Sequence, residues 1–276
     1  MAEIVGIFAC SHAPQLVRDW ETIEMGRRSR LERSFLELGR AIAAARTDVL
    51  VAIGPDHWSN FFLSNMPAIC IGVGAHHGGP PEPWLSAFPH RTLPGDTQFG
   101  AYLADYAFAH EFEPSISHRM NLDHGFCVPL WRTALDPLPA IVPVVINAIQ
   151  TPVPSIARCI AFGAMIADAA QQFDAPTRIA ILASGGLSHS VGEPTMWEVD
   201  EAFDRLCVER FADGDPMAII AQVNEGRIGR AGNGSSEVRY WTVAHGAARC
   251  RGFELIHYEV VPEVGTGCGF ARWTST

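Results

Sequence analysis

The sequence predicts a single layered α/β domain in which helices flank a mostly parallel central sheet. Two observations lead to this fold class. Strand-like apolar runs alternate with helix-like stretches along the chain, which is the order typical of strands joined by helical crossovers. The 276 residues, 48% of them hydrophobic, contain no Pro/Gly/Ser-rich linker and no charge run that would divide them, so we expect one large core.

The first two strand-like runs explain why we expect the sheet to be parallel and covered on both faces. Residues 4–10 and 49–53 are apolar almost without interruption, as in strands that are buried on both sides. We predict strands at residues 3–10, 47–54, 69–74, 140–148, 178–184 and 253–262.

Helices are predicted between most of these runs. The first carries charged side chains on one side and apolar side chains on the other, as an amphipathic helix does. Pro154-Ser155 and Asp215-Pro216 are helix start signals, and a further helix is predicted directly after Glu237, with Ser235 as its cap. Apart from the helix after Glu237, the predicted helices span residues 20–45, 95–110, 154–173, 198–213 and 215–225, and the amphipathic one is the first of these.

Residues 76–94 have a different composition from the rest of the chain. Five prolines in this segment exclude a regular helix or a central strand. We therefore predict a long surface loop. Because long loops in compact domains often act as lids, we expect this segment to be lid-like.

The overall composition excludes several classes of protein. A formal charge of −10 and a pI near 5.5 argue against a nucleic-acid-binding protein. No long apolar run or basic leader is evident, so we expect neither a membrane span nor a signal peptide, and we expect a cytoplasmic protein. Seven cysteines without a CxxC pair predict reduced, mostly buried thiols and neither disulfides nor a zinc ribbon.

Three residues far apart in the chain form a candidate iron site. His12 and His57 each follow the end of a predicted strand, where ligands collect in open α/β sheets, and Glu237 follows a glycine-rich turn. Two imidazoles and one carboxylate on one face are the ligand set of mononuclear non-haem Fe(II), with the opposite face open. Taken singly, each residue also has an ordinary explanation, as a loop histidine or as a carboxylate in the first turn of a helix.

Two more histidines lie in polar or glycine-containing turns beside apolar runs. His124 follows Asp123, and His189 follows the glycines of GGLSH, which let the backbone approach a ligand closely. A serine nucleophile in GGLSH is disfavoured because GxSxG is absent. Asp56 is positioned to orient His57 or to hold its loop. We predict solvated or core positions for His76, His77, His90, His110, His118, His245 and His257, with His118 as the strongest exception.

Seven segments, taken in order, resemble the class III (type II) extradiol ring-cleavage dioxygenases. They are SHAP, GPDHWSNFF, LDHGFCVPL, PVVIN, ASGGLSHS, GNGSSEVRYW and GTGCGF, and together they span Ser11 to Phe270. The family includes the catalytic subunit of protocatechuate 4,5-dioxygenase and the single-chain 2,3-dihydroxyphenylpropionate 1,2-dioxygenase. The resemblance implies that residues 1–276 form one catalytic domain that uses Fe(II) and O2 to cleave a catechol-type ring next to its hydroxyl pair.

The resemblance also implies a role for each matching residue. His12, His57 and Glu237 are the expected iron ligands, His189 is the expected acid–base residue, and His124 is expected to contact substrate or O2. Ser236 stands before Glu237 where some relatives carry histidine, a departure that should leave metal binding intact. The expected pocket wall and further substrate contacts are Trp58, Phe61, Phe62 and His118.

Two other functions account for part of the pattern. A non-enzymatic metal-binding or interaction protein on the same fold would have no need of the proton shuttle in GGLSH. A zinc hydrolase would need a general base beside a zinc-bound water, which the pattern does not specifically supply. The resemblance implies a small aromatic diol and O2 as substrates, a homo-oligomer and, in some relatives, a small capping subunit. The sequence leaves open which catechol, gallate or aminophenol is cleaved, and at which bond.

Overall fold

The computed structural model describes residues 1–274. Within this range the chain forms ten strands, all but two of them in one sheet. The strands are β1 (Glu3–Cys10), β2 (Val49–Gly54), β3 (Ile69–Gly72), β4 (His76–Gly79), β5 (Arg91–Pro94), β6 (Ser115–Ser117), β7 (Ala140–Ile146), β8 (Arg178–Ser184), β9 (Phe253–Val261) and β10 (Thr266–Trp273).

The central sheet has eight strands in the order β6-β3-β7-β2-β8-β1-β10-β9. The middle four strands, β7, β2, β8 and β1, run parallel to one another. The pair β3 and β6 is antiparallel to β7, and β10 and β9 add an antiparallel edge at the other side. The predicted α/β fold class with a mostly parallel sheet is confirmed.

The described helices cover both faces of this sheet, because alternate residues of the central strands point to opposite sides. The helices are α1 (Gln15–Arg18), α2 (Met25–Ala44), α3 (Thr97–Ala109), α4 (His124–Arg132), α5 (Ile156–Gln172), α6 (Glu201–Asp213), α7 (Pro216–Gln222), α8 (Glu225–Arg230) and α9 (Val238–Ala247). In β2, Val51 packs into the core beneath α3, α5 and α9, whereas Leu50 packs into the core beneath α2 and α4.

Polar caps determine where several of these helices begin. The Ser155 side chain accepts a hydrogen bond from the Arg158 N–H, and Asp215 caps α7 through the Met217 N–H, so both predicted start signals are confirmed. The helix predicted over residues 215–225 is instead two helices, because Asn224 caps a new one. Ser235 does not cap α9; its hydroxyl donates to the Ala231 carbonyl oxygen.

The strand β10 is missing from the sequence prediction, because its glycine-rich start resembles a turn. At two of these glycines, a side chain from another part of the fold approaches the strand backbone closely. A Cβ on Gly267 would lie 2.0 Å from the Asp204 carboxylate, and one on Gly269 would lie 3.0 Å from the Trp241 ring. Glycine in a strand interior often marks such a contact.

The prediction of an irregular surface loop over residues 76–94 is wrong at both ends of the segment. Its ends pair as the two-stranded sheet of β4 and β5, in which His77 is buried. Leu85 and Phe88 anchor the middle of the segment in the core. Throughout the described chain, helices fall short of the length and apolar character needed to cross a membrane.

Candidate active site

Four of the predicted site residues meet at the carboxyl ends of the parallel strands. His12 follows β1, His57 follows β2, and His189 follows β8, while Glu237 directly precedes α9. Adjacent parallel strands end at the same edge of a sheet, so their terminal loops come together there. The side chains of His12 and Glu237 are buried, with 3% and 4% of their surface exposed.

The three predicted metal ligands converge on one point. His12 Nε2 lies 3.3 Å from Glu237 Oε1, and His57 Nε2 lies 3.5 Å from the same oxygen. The two imidazole rings are nearly perpendicular, at 78°, with centroids 5.3 Å apart. Glu237 Oε1 therefore lies within 3.5 Å of one ring nitrogen of each histidine.

Ser184, the last residue of β8, fixes the tautomer of His12. Its Oγ donates a hydrogen bond to the carbonyl oxygen of Gly125. Because the hydroxyl has only one proton, Oγ must accept the second hydrogen bond, from His12 Nδ1 at 3.0 Å. His12 therefore carries its proton on Nδ1 and presents the lone pair of Nε2 toward Glu237.

Asp123 holds His57 from the beginning of α4. Its carboxylate accepts a hydrogen bond from the backbone N–H of His57, and Oδ2 lies 3.3 Å from His57 Nδ1. Burial lowers the pKa of His57, but the carboxylates of Asp123 and Glu237 outweigh burial and raise it to about 10. The site therefore attracts positive charge.

The glycines of GGLSH make room for the Glu237 carboxylate. The Gly186 N–H donates to Oε2 at 2.8 Å, and a Cβ on Gly185 would lie 2.8 Å from the same oxygen. Both glycines have a positive φ, which is 141° at Gly185 and 66° at Gly186. Burial raises the pKa of Glu237, but the interactions with His12 and His57 outweigh it and hold the pKa well below its usual value.

His189 lies beside the Glu237 carboxylate, and one of its ring nitrogens forms a hydrogen bond with the backbone. Its Nδ1 donates to the Leu187 carbonyl oxygen at 3.0 Å, and its Nε2 lies 3.9 Å from Glu237 Oε2. Burial lowers the pKa of His189, so the ring is neutral at pH 7 and Nε2 carries a lone pair. Gly234 packs against this ring, since a Cβ there would lie 2.1 Å from Nε2.

His124 stacks on His57, with ring centroids 4.0 Å apart and an interplanar angle of 16°. Its Nδ1 and its backbone N–H both donate to Glu82 Oε1, at 2.6 and 3.0 Å. His12, His57 and His124 also bring one ligand atom each within 4.8 Å of one another. Glu237 Oε1 also lies within 3.5 Å of a ring nitrogen of both His12 and His57, so His124 and Glu237 both lie beside this histidine pair.

The chemistry of the donor set fits a metal ion. His12 offers a free Nε2 lone pair, and Glu237 offers Oε1, because Oε2 is bound to the Gly186 N–H. Metal–ligand bonds of about 2.1 Å place ligand atoms at right angles roughly 3 Å apart. The distances of 3.3 and 3.5 Å to Glu237 Oε1 are close to this value. Partners on Nδ1 are the usual support of metal-binding histidines.

A cavity of about 450 Å³ opens from this cluster toward solvent. Of the predicted substrate-binding residues, Trp58 lines the cavity, and Phe61, Phe62 and His118 do not. The loop around Asp56 explains why Phe61 and Phe62 lie outside the cavity. The Asp56 carboxylate accepts hydrogen bonds from the Ser59, Asn60 and Phe61 N–H groups, and this turn packs Phe61 against the core and leaves Phe62 51% exposed.

His118 lies away from the cavity because of the strand order. It is exposed and follows β6, the edge strand, which β3 and β7 separate from β2. Of the other six histidines, His77 and His245 are buried, and each is linked to a single hydrogen-bond donor, the Met120 N–H and the Trp273 ring N–H.

Several residues of the site escape sequence reasoning. Ser184 ends a strand as an ordinary small residue, and Glu82 lies in the proline-rich segment far from the histidines in sequence. Of the two roles that the sequence leaves open for Asp56, the structure shows the second, because Asp56 holds its own loop and Asp123 accepts a hydrogen bond from the His57 N–H. The sequence signal for Asp123 was the repeated Asp-His pair, Asp56-His57 and Asp123-His124, because the two histidine rings of these pairs stack on each other.

Comparison with known proteins identifies the family of this chain. A family model described as the catalytic LigB subunit of aromatic ring-opening dioxygenase matches residues 6–269. A 2,3-dihydroxyphenylpropionate/2,3-dihydroxicinnamic acid 1,2-dioxygenase from Comamonas testosteroni is 34% identical over 60% of this chain and 53% of its own length. The enzyme of the same name from Paraburkholderia phymatum is 26% identical over 93% of this chain and 90% of its own length.

A solved structure shares the fold. The crystal structure of an uncharacterized protein from Escherichia coli K12 superposes with a TM-score of 0.60 at 14% identity, covering 87% of this chain and 91% of that one. The family model covers nearly all of the described chain, including every residue of the histidine and carboxylate cluster. The predicted resemblance is thus confirmed, and the chain belongs to the family of the catalytic LigB subunit of aromatic ring-opening dioxygenases.

Proposed function

We propose that this chain is a ferrous extradiol dioxygenase that opens a catechol-type ring next to its two hydroxyls with O2. The observation that carries the proposal is the convergence of His12 Nε2, His57 Nε2 and Glu237 Oε1 beside a cavity that His189 also lines. Family membership and the printed names of the relatives support it.

His12, His57 and Glu237 would hold the iron. All three approach from the strand ends, and the cavity lies on the remaining side, where a catechol and O2 have room to bind. When bound there, Fe(II) supplies the redox and Lewis-acid chemistry that couples a catechol to O2.

His189 acts as the acid–base residue. The Leu187 carbonyl oxygen holds the proton on Nδ1, so the Nε2 lone pair can accept a proton from a catechol hydroxyl. The neutral ring at pH 7 has the protonation state that this step requires, because burial lowers its pKa. The same nitrogen returns the proton later in the reaction.

His124 contributes a hydrogen bond to the substrate hydroxyl or to O2. It lines the cavity beside His57, and Glu82 fixes its orientation through Nδ1. Trp58 forms part of the wall against which the aromatic ring packs.

We further propose that the enzyme is cytoplasmic and works as a homo-oligomer, with or without a small capping subunit. Exposed apolar side chains near the cavity mouth, Phe62 and Leu63, support the presence of a covering chain. Size-exclusion chromatography of the active chain, expressed alone, tests both points. A monomeric active chain would contradict the oligomer, and an inactive chain would indicate a missing partner.

Anaerobic loading with Fe(II), followed by catechol, protocatechuate, gallate and 2,3-dihydroxyphenylpropionate, tests the main proposal. We expect O2 uptake with at least one of these diols and a yellow ring-opened product. Binding of the diols without O2 uptake would favour a non-enzymatic binding protein. Hydrolytic activity with Zn²⁺ in place of iron would favour a hydrolase.

A further inference from the structure

The cavity has two chemically different parts. The histidines and Glu237 form one end, and among the other lining residues apolar side chains outnumber the polar ones, which are Gln15, Ser190, Asn233 and Thr266. The apolar wall consists of Ala148, Ile149, Val191, Met196, Trp197 and Val264. The aromatic ring of a catechol held at the histidine end would direct its substituent along this wall.

Arginine side chains are absent from the lining of the cavity within residues 1–274. The chain has twenty basic residues, all of them arginines, and none lines the cavity. Arg230 lines a separate recess together with the carboxylates of Glu198 and Glu201, and Arg18 pairs with Asp19. A carboxylate on the substituent would therefore lose water on this wall without meeting an arginine, which is unfavourable.

Two tryptophans on the cavity lining have backbones in the left-handed region. Trp58 has φ 60° and Trp197 has φ 84°, a conformation that bulky residues rarely adopt. Gly265 makes this possible at Trp197, because a Cβ there would lie 2.9 Å from the Trp197 Cα. Strained positions of this kind concentrate at ligand-binding sites.

We infer that the substrate is a catechol with an uncharged, apolar substituent, an alkyl or aryl group, that packs along the apolar wall. This inference rests on the proposed function. It separates the chain from its relatives, whose printed names refer to substrates with a carboxylated side chain, such as dihydroxyphenylpropionate. A cavity of about 450 Å³ is large enough for a ring with such a substituent.

The first test compares the affinities of matched ligands for the Fe(II)-loaded chain under anaerobic conditions. Calorimetry would be run with catechol, 3-methylcatechol, 3-propylcatechol, 3-butylcatechol and 2,3-dihydroxyphenylpropionate. Each buried methylene should tighten binding about fourfold, and 3-butylcatechol should bind at least about tenfold more tightly than the propionate. Equal or tighter binding of the propionate, or no gain with alkyl length, would overturn the inference.

Turnover distinguishes this inference from the proposed function. If the alkylcatechols bind more tightly but no diol supports O2 uptake, the preference of the cavity for apolar substituents stands and the dioxygenase proposal fails. If O2 uptake occurs with higher kcat/KM for the propionate than for 3-butylcatechol, the dioxygenase proposal stands and the inference fails.

A pair of substitutions locates the effect on the wall. Met196→Arg adds a cation to the apolar wall, and Met217→Arg adds one at an exposed position of α7 outside the cavity. We expect Met196→Arg to shift the affinity ratio at least about tenfold toward the propionate, and Met217→Arg to leave the ratio unchanged. An unchanged ratio in Met196→Arg would overturn the inference.

Discussion

The two parts of the cavity are built in different ways. At the histidine end, side chains come from the ends of adjacent strands, and their polar atoms are bonded to Ser184, Asp123 or Gly186. Half of the apolar wall comes from the segment after His189, where Trp197 is 52% exposed and Val191 is 62% exposed. The comparison indicates that the sheet determines the chemistry and the loops determine which substrate enters.

The largest effect on turnover is expected from Glu237→Ala. The substitution removes one of the three proposed ligands and leaves His12 and His57 without the nearby carboxylate. We expect less than about a tenth of wild-type iron content and no detectable ring opening, measured by metal analysis and O2 uptake. Glu113→Gln, at an exposed loop position, serves as the control. An iron-loaded, active Glu237→Ala variant would refute the ligand role.

The next largest effect is expected from His189→Ala. Removing the imidazole eliminates the proposed proton acceptor but none of the three proposed metal ligands. Turnover should fall about 10²–10⁴-fold while iron content stays at the wild-type level. His76→Gln, on the exposed edge of β4, should change neither quantity. Loss of iron from His189→Ala would show that the ring belongs to the metal site.

A smaller effect is expected at Glu82, which joins the proline-rich segment to the histidine end. Glu82→Ala removes both hydrogen bonds to His124 and should lower kcat about 10- to 100-fold, as for other groups that orient an active-site imidazole. Glu82→Gln keeps an acceptor oxygen and should recover most of that loss. Iron content should be unchanged in both variants. If Glu82→Gln were as impaired as Glu82→Ala, orientation of His124 would not be the cause.

The smallest effect on turnover is expected from substitution of Asp204, whose carboxylate contacts Ser188, the residue before His189. Its buried carboxylate accepts from the Ser188 N–H at 2.8 Å and from the Tyr258 hydroxyl at 2.7 Å. Burial raises the pKa of Asp204 to about 7, although these hydrogen bonds oppose the shift. The folded protein therefore binds a proton between pH 4 and pH 7 that the unfolded chain releases, and this contribution to stability is lost as pH rises.

Asp204→Asn removes that titration. Relative to wild type, its free energy of unfolding should rise by about 2 to 4 kcal/mol from pH 4 to pH 7 and then level off, measured by urea denaturation at each pH. Parallel pH profiles for the two proteins would show that Asp204 is ionised throughout this range.

Much of the fold follows from local sequence patterns. The apolar runs of β1, β2, β7 and β8 locate the central strands, because a strand covered on both faces has few polar positions. Helix starts follow from their capping residues. The β4–β5 pair and β10 do not follow, because their glycines and prolines are typical of turns until the contacts that require small residues are known.

The α/β sheet, the histidines at its strand ends and the glycines before His189 follow from the amino-acid sequence alone. The folded structure was needed to show that Asp123 contacts His57, that Glu237 packs on Gly185 and Gly186, that Ser184 holds the His12 proton on Nδ1, and that Trp197 forms part of the cavity wall. The difference lies in the range of the interactions. Strand and cap patterns act over a few neighbouring residues, whereas these partners meet across long sequence separations once the strands have paired.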